Sequence, residues 1–261
     1  MRIALLSDIH GNHIALDAVL ADIQSQGEPD AYWVLGDLAA LGGQPVDSLE
    51  RVTALPNVSF VRGNTDRYVT KGDRPPPLPE EVVANPDLLP VLVEVANSFA
   101  WTQGMITASG WFDFMDKLPL EQRLTLPDGT RLLGVHASPG TDDGVGVSPD
   151  TPEEVLNEMF DSCDADLVCV GHTHWPANRQ VGNVHVVNLG SVANPRIPSL
   201  EATYVLLDAN ESGYTITHHF VPYARDAVVQ ILDQVHHPAA GFIESFMRGE
   251  KIATHYGQPD C

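Results

Sequence analysis

Seven oxygen- and nitrogen-bearing side chains recur at one kind of place in this sequence. Asp8 and His10 stand in SDIHGN, Asp37 in LGDLAALG, Asn64 in VRGNTD, His136 in VHASPG, and His172 with His174 in GHTHW. Each block follows a short apolar run. Taken singly, each has an ordinary explanation: an aspartate caps a helix or closes a turn, Gly-Asn turns the chain, and a histidine serves as a hydrogen-bonded core residue. Alternate residues of extended chain face one way, so Asp-x-His and His-x-His can each deliver two donors to one place. As an ordered set they gather carboxylate, amide and imidazole donors. Such donors suit ions such as Mn, Fe, Zn or Ni better than Mg alone or a thiolate-bound structural zinc.

Gathering these residues requires strands that end together. Arg2–Ser7, Ala31–Leu35 and Val58–Val61 read as buried strands, with a helix from the Asn12 N-cap to Gly27 and another over Val46–Ala54. A βαβαβ order implies a parallel sheet covered on both faces, and ligands bind beyond the carboxyl ends of such strands. The prolines of RPPPLPEE and ANPDLLP interrupt the pattern, and helices are expected near Val91–Ala100 and Met105–Lys117. Residues 70–118 therefore read as a helical cap inserted into a single domain spanning 1–261. Strands resume at Arg123–Leu126, Arg131–Val135, Leu167–Val170, Val184–Leu189, Thr203–Leu207 and Tyr214–Phe220. Residues 223–261 form a C-terminal helical segment, helical over Ala227–Met247 with a break at His237–Pro238.

Composition narrows the chemistry. The 261 residues carry 14 Lys+Arg against 35 Asp+Glu, a formal net charge of −21, which argues against an extended nucleic-acid surface or an anionic membrane as partner. No apolar run approaches the roughly 18–20 residues that span a bilayer, and MRIALLSDIH lacks the form of a signal peptide. The cysteines Cys163, Cys169 and Cys261 show no paired spacing, so a reducing, cytoplasmic setting is expected. There is no G-x-S-x-G elbow, no P-loop and no zinc-finger spacing. A small phosphate-containing substrate fits an acidic protein only if bound metal supplies the positive charge.

The set Asp8-x-His10, Gly36-Asp37, Gly63-Asn64, His136 and Gly171-His172-x-His174 resembles the calcineurin-like metallophosphoesterase superfamily, whose signature runs D-x-H, G-D, G-N-H-[DE], H and G-H-x-H. The resemblance extends over the strands to about Phe220. It implies an α/β fold, a two-sheet β-sandwich flanked by helices, holding two metal ions with manganese favoured. Carried over by position, one metal takes Asp8, His10 and His174, the other Asn64, His136 and His172, and Asp37 bridges both. Two ions about 3.5–4 Å apart need such a shared carboxylate. The resemblance further implies phosphate-ester hydrolysis by in-line attack of a metal-bridging hydroxide, in compact members that act as phosphodiesterases, phosphatases or dinucleoside polyphosphate hydrolases.

One block departs from the signature: Gly63-Asn64-Thr65-Asp66 stands where the superfamily has G-N-H-[DE]. In the expected catalytic trio Asn64, Thr65 and Asp66, threonine cannot act as a general acid near neutral pH, and such help is typically worth about 10²–10⁴-fold. The departure favours phosphodiesters or anhydrides, with better leaving groups, over alkyl monoesters. A catalytically weak metal-binding scaffold is the rival from another class. Arg62 and Arg67 are expected at the substrate phosphate, with Asn12 beside the backbone approach at Gly11 or simply as a helix cap. Asp142 and Asp143 read as a solvated turn, and Asn188–Ser191 as the crevice floor. His13, His185, His218, His219, His236, His237 and His255 match no ligand position, although the strand bearing His185 leads toward Asn188. The cap is expected to serve as a substrate lid or a dimer face, and no protein partner is read from it.

Overall fold

The computed structural model describes residues 1–250, so His255, Cys261 and the end of the C-terminal segment lie outside it. Strands β1 (Arg2–Leu6), β2 (Ala31–Leu35) and β3 (Val58–Val61) run parallel and alternate with helices α1 (His13–Gln26) and α2 (Pro45–Thr53). The late strands β9 (Ala202–Asn210) and β10 (Gly213–Val221) complete the sheet in the order β10-β9-β1-β2-β3. The second sheet runs β4-β5-β6-β8-β7, with β4 Glu121–Thr125, β5 Arg131–Val135, β6 Leu167–Val170, β7 Ala177–Val181 and β8 Val184–Asn188. Its centre, β5, β6 and β8, is again parallel. The two mixed sheets make the expected helix-flanked sandwich.

Side-chain alternation explains the layers. Ile3, Leu5, Trp33 and Leu35 point between the sheets and meet Leu132, Leu167, Cys169 and Val187. Their neighbours Ala4, Leu6 and Val34 face α1 on the outer side, and Leu133, Val168 and Val186 pack against Leu156 and Phe160 of α7 (Glu153–Phe160). Strands apolar on both faces are what a doubly covered sheet needs, and the arrangement brings the carboxyl ends of five strands to one rim.

Several elements differ from the sequence reading. The edge strand β7, ANRQV, is exposed on one face and too polar to read as a strand. Helix α7 and helix α3 (Asn64–Lys71), which starts at Asn64 itself, are short and acidic- or polar-faced, and were hidden among turn-like residues. In the cap, a short α4 (Pro79–Ala84) and a 3₁₀ turn lead into α5 over Leu89–Ala108, which runs past the break expected near residues 100–105. Gly104 sits within α5 with open space about its α-carbon, and the helix ends only at Ser109 and left-handed Gly110. A brief α6 (Phe112–Asp116) follows. The C-terminal segment does break near His237, into α8 (Arg225–Gln234) and α9 (Ala240–Met247). Trp101 of α5 meets His237 edge-on, with ring centroids 4.7 Å apart, so cap and C-terminal helices join above the rim. No described helix is long and apolar enough to cross a membrane.

Candidate metal centre

All seven residues lie just past strand ends: Asp8 and His10 after β1, Asp37 after β2, Asn64 after β3, His136 after β5, and His172 with His174 after β6. The chain turns sharply there. Asp8, His10, Asp37, His172 and His174 all adopt positive φ, between 46° and 70°. For non-glycine residues this conformation costs on the order of 1–3 kcal/mol each, and such strain persists where the surroundings impose it for function. The loops also pack too closely for side chains at two glycines. A Cβ on Gly63 would stand 2.1 Å from Asp37 Oδ1, and one on Gly171 would stand 1.9 Å from Ser7 Oγ and 2.5 Å from Asp8 Oδ2.

The donors form two groups. In the first, His10 Nε2 and His174 Nε2 face each other at 3.1 Å, and Asp8 Oδ1 lies 3.1 Å from His174 Nε2. Asp8, His10, Asp37 and His174 place ligand atoms within 4.8 Å of one another, all buried. In the second, Asn64 Oδ1 lies 3.0 Å from His136 Nε2 and 3.1 Å from His172 Nδ1. Asp37 stands between, with Oδ2 3.6 Å from His10 Nε2 and Oδ1 3.5 Å from His136 Nε2.

The ring tautomers follow from the outer nitrogens. Nδ1 of His10, His174 and His136 meets the carbonyls of Ala40, Asn194 and Leu35, and His172 Nε2 meets that of Gly144. A carbonyl only accepts, so each outer nitrogen carries a hydrogen, and in the neutral form of each ring the inner nitrogen turns a lone pair inward. Inward lone pairs beside carboxylate oxygens would repel without a cation among them. Asp8 Oδ1 is moreover buried without a hydrogen-bond partner. The donor set therefore fits metal ions, with the outer carbonyls orienting the rings.

The electrostatics agree. Burial pushes His10 and His172 down, keeping them neutral. Burial disfavours the ionised carboxylates of Asp8 and Asp37, yet His174 beside Asp8 and His136 beside Asp37 hold both below the usual range. Burial likewise opposes charge on His136, but Asp37 and Asp8 outweigh it and raise that ring to about 10. The two carboxylates thus favour positive charge between them, whatever carries it.

The remaining expected residues divide. Thr65 lines the cavity beside the metal centre, and its buried Oγ1 has no hydrogen-bond partner, while its N–H donates to Asp37 Oδ1 at 2.9 Å. Asp66 does not face that cavity. It accepts from the backbone N–H groups of Asp37, Leu38 and Gly63 at 2.8–2.9 Å and so ties two ligand loops together. Burial and the neighbouring Asp37 push it up to about 7, against those three donors. Asn12 caps α1 by accepting from Ala15 N–H, away from the cavity. Arg62 and Arg67 are not open to substrate as expected. Both grip Asp142, at 2.7 and 3.0 Å, and Arg67 also holds Asp143. Asp142 is thus a buried ion-pair partner, not a solvated turn; the pairing spans about eighty residues of chain, and no local pattern announces it.

Asn188 does not line the cavity; its Nδ2 donates to Gly171 O, Val147 O and Thr173 Oγ1 beneath the His-x-His turn. Ser191 Oγ donates to the Asp8 carbonyl, one layer below the donors. His185 bonds to Tyr214 and Asn178, outside the site. Sequence reasoning missed Arg196, a half-buried cation lining the cavity on the loop whose Val192 and Ala193 N–H groups reach back to Ser7 and Asp8. The signal was its position just after Asn188–Ser191, where only the strand end was weighed.

Fold, strained strand ends and paired donor groups define a metal-dependent phosphoesterase, and comparison with known proteins agrees. The family model of the calcineurin-like phosphoesterase superfamily domain matches residues 1–212, and the chain belongs to that superfamily. It is 30% identical over 227 residues to the uncharacterized protein MJ0912 of Methanocaldococcus jannaschii, covering 80% of this chain and 83% of that one. A metallophosphoesterase from Sphaerobacter thermophilus superposes with TM-score 0.69 at 25% identity, over 95% of this chain and 98% of the other. The hypothetical protein PH1004 from Pyrococcus horikoshii shares the fold with TM-score 0.77 at 21% identity, over the same shares.

Proposed function

We propose that this protein hydrolyses small phosphodiesters in preference to monoesters at a centre of two metal ions. The observation that carries the reading is the Asp37 carboxylate, whose two oxygens each face a separate group of inward-turned donors. Asp8, His10 and His174 would hold one ion and Asn64, His136 and His172 the other. When bound, such ions neutralise the phosphoryl oxygens and activate water for attack on phosphorus. Manganese is favoured among Mn, Fe, Zn and Ni.

The chain's own groups then supply orientation. The unpartnered Thr65 hydroxyl would donate a hydrogen bond to a phosphate ester oxygen, and the Arg196 guanidinium would supply a charged contact. Neither releases a proton readily near neutral pH, so esters with stabilised leaving groups are favoured. Asp66, with its three backbone donors, keeps Asp37 and Asn64 in register.

The test is hydrolysis of an aryl phosphodiester and the matching monoester by chelator-stripped protein, with Mn²⁺, Ni²⁺, Zn²⁺ or no metal restored. The expected result is metal-dependent turnover with the diester preferred. A monoester preference removes the argument from Thr65. Tight binding of two ions without turnover turns the reading to a metal-bound scaffold.

A further inference from the structure

The cavity beside the metal centre encloses about 350 Å³. His10, Asp37, Asn64, Thr65, His172 and His174 form its floor, and side chains of α5 and α9 form its wall. Arg62, Arg67, Asp142 and Asp143 line none of it. Their connection to the floor runs through α3 and through one backbone carbonyl.

Each of the four donor imidazoles is oriented by a carbonyl, but the four carbonyls are not equally secure. Leu35 belongs to β2, and Ala40 and Asn194 are buried. Gly144, whose carbonyl takes the His172 Nε2–H at 2.8 Å, is exposed. It sits on a loop with left-handed glycines at 140, 144 and 146. Such a segment has little stiffness of its own. The direction of the His172 ring therefore depends on what fixes the loop.

Asp142 and Asp143 fix it. Asp142 is buried and accepts from Arg62 Nε at 2.7 Å and from Arg67 Nε at 3.0 Å. Asp143 Oδ2 accepts from Arg67 Nη2 at 2.8 Å and from the Tyr68 hydroxyl, while its Oδ1 accepts from the Gly144 N–H at 2.8 Å. Arg67 and Tyr68 stand on α3, the helix that begins at Asn64, and Asn64 Oδ1 lies 3.1 Å from His172 Nδ1. The links close on themselves: Asn64, α3, Asp143, Gly144, His172 and Asn64 again. None of them is Asp8, His10 or His174. Buried ion pairs add little net stability over apolar packing. What this one does is hold two donors of the same group at a set spacing.

We infer that Asp143 is a positioning residue for the ion held by Asn64, His136 and His172, and that the ion of Asp8, His10 and His174 does not depend on it. The inference rests on the two-ion reading above.

Calorimetric titration of Mn²⁺ into the full, chelator-stripped chain tests it, with electron paramagnetic resonance to separate a coupled manganese pair from a lone ion. The Asp143 side chain is 37% exposed, so Asp143→Ala should keep the metal-free melting temperature. One site should weaken by about tenfold or more and the other stay within about twofold, with the lone-ion signal replacing that of the pair at limiting metal. Asp143→Asn, which can still accept from the Gly144 N–H but loses an acceptor for Arg67 and Tyr68, should weaken the same site less. In a His172→Ala background Asp143→Ala should leave the remaining ion unchanged, and a further loss there overturns the inference. So does a chain that binds two ions and in which Asp143→Ala weakens both alike or neither. A wild-type chain that takes up fewer than two ions overturns the two-ion reading itself, and the inference with it.

Discussion

Floor and wall of the same cavity are built on opposite principles. The floor is made of strand-end residues, with His10, Asp37, His172 and His174 at positive φ and glycines at positions where a Cβ would strike a donor. The wall is made of ordinary helical side chains, from buried Ser98 and Phe99 to exposed Val91, with no comparable backbone constraint. A floor that holds metal ions has one workable geometry, because metal chemistry tolerates little displacement of its ligands. The wall need only be the right shape and polarity. The difference also follows the family match, which covers the floor and α5 and ends at residue 212, before α9 begins.

Substitutions can break that contrast, beginning at the floor. Asp37→Asn removes the shared carboxylate, and kcat for an aryl diester should fall by about 10³-fold or more with loss of paired metal binding. Metal analysis of the purified variant checks the second half of that statement. Gly63→Ala pushes a methyl group onto Asp37, and should destabilise the fold by roughly 1–3 kcal/mol while lowering metal affinity, read by thermal unfolding and metal titration.

Smaller effects sharpen the comparison. Thr65→His restores the imidazole of the family signature, and turnover of a monoester with a poor leaving group should rise by about tenfold, more than for the aryl diester. Equal gains for both substrates would show that Thr65 does not set leaving-group preference. Val95→Ala trims the wall by two methyl groups on a half-buried residue. The Michaelis constant of a ring-bearing ester should rise about threefold with kcat held. Metal stoichiometry should not move.

The legibility of the molecule follows the same division. Asp8, His10, Asp37, Asn64, His136, His172 and His174 were readable because each sits in a short block after an apolar strand, and the blocks keep their order. The strands carrying them were readable because residues buried on both faces leave uninterrupted apolar runs, as in Leu167–Val170. Strand β7 was not, since one of its faces is solvated and polar. The break between the cap helices was expected near residues 100–105 but falls at 109–111, because α5 keeps its run through packing of Phe99 and Ile106 in the core. Arg62 and Arg67 were misassigned for another reason. Their partners Asp142 and Asp143 lie on a loop after β5, and only the sheet-to-sheet packing brings the two loops together.

By itself, then, the sequence determined the chemistry of the floor: the types of donor, their order and the strands that end beneath them. Those are local matters, set by short-range pattern and by the need to bury apolar strands. Tertiary structure alone decided which arginine lines the cavity, what Asp66 holds, and that α5 and α9 meet over the metal centre. Such contacts join residues far apart in the chain, and their energies depend on burial and distance, which no stretch of sequence carries within itself.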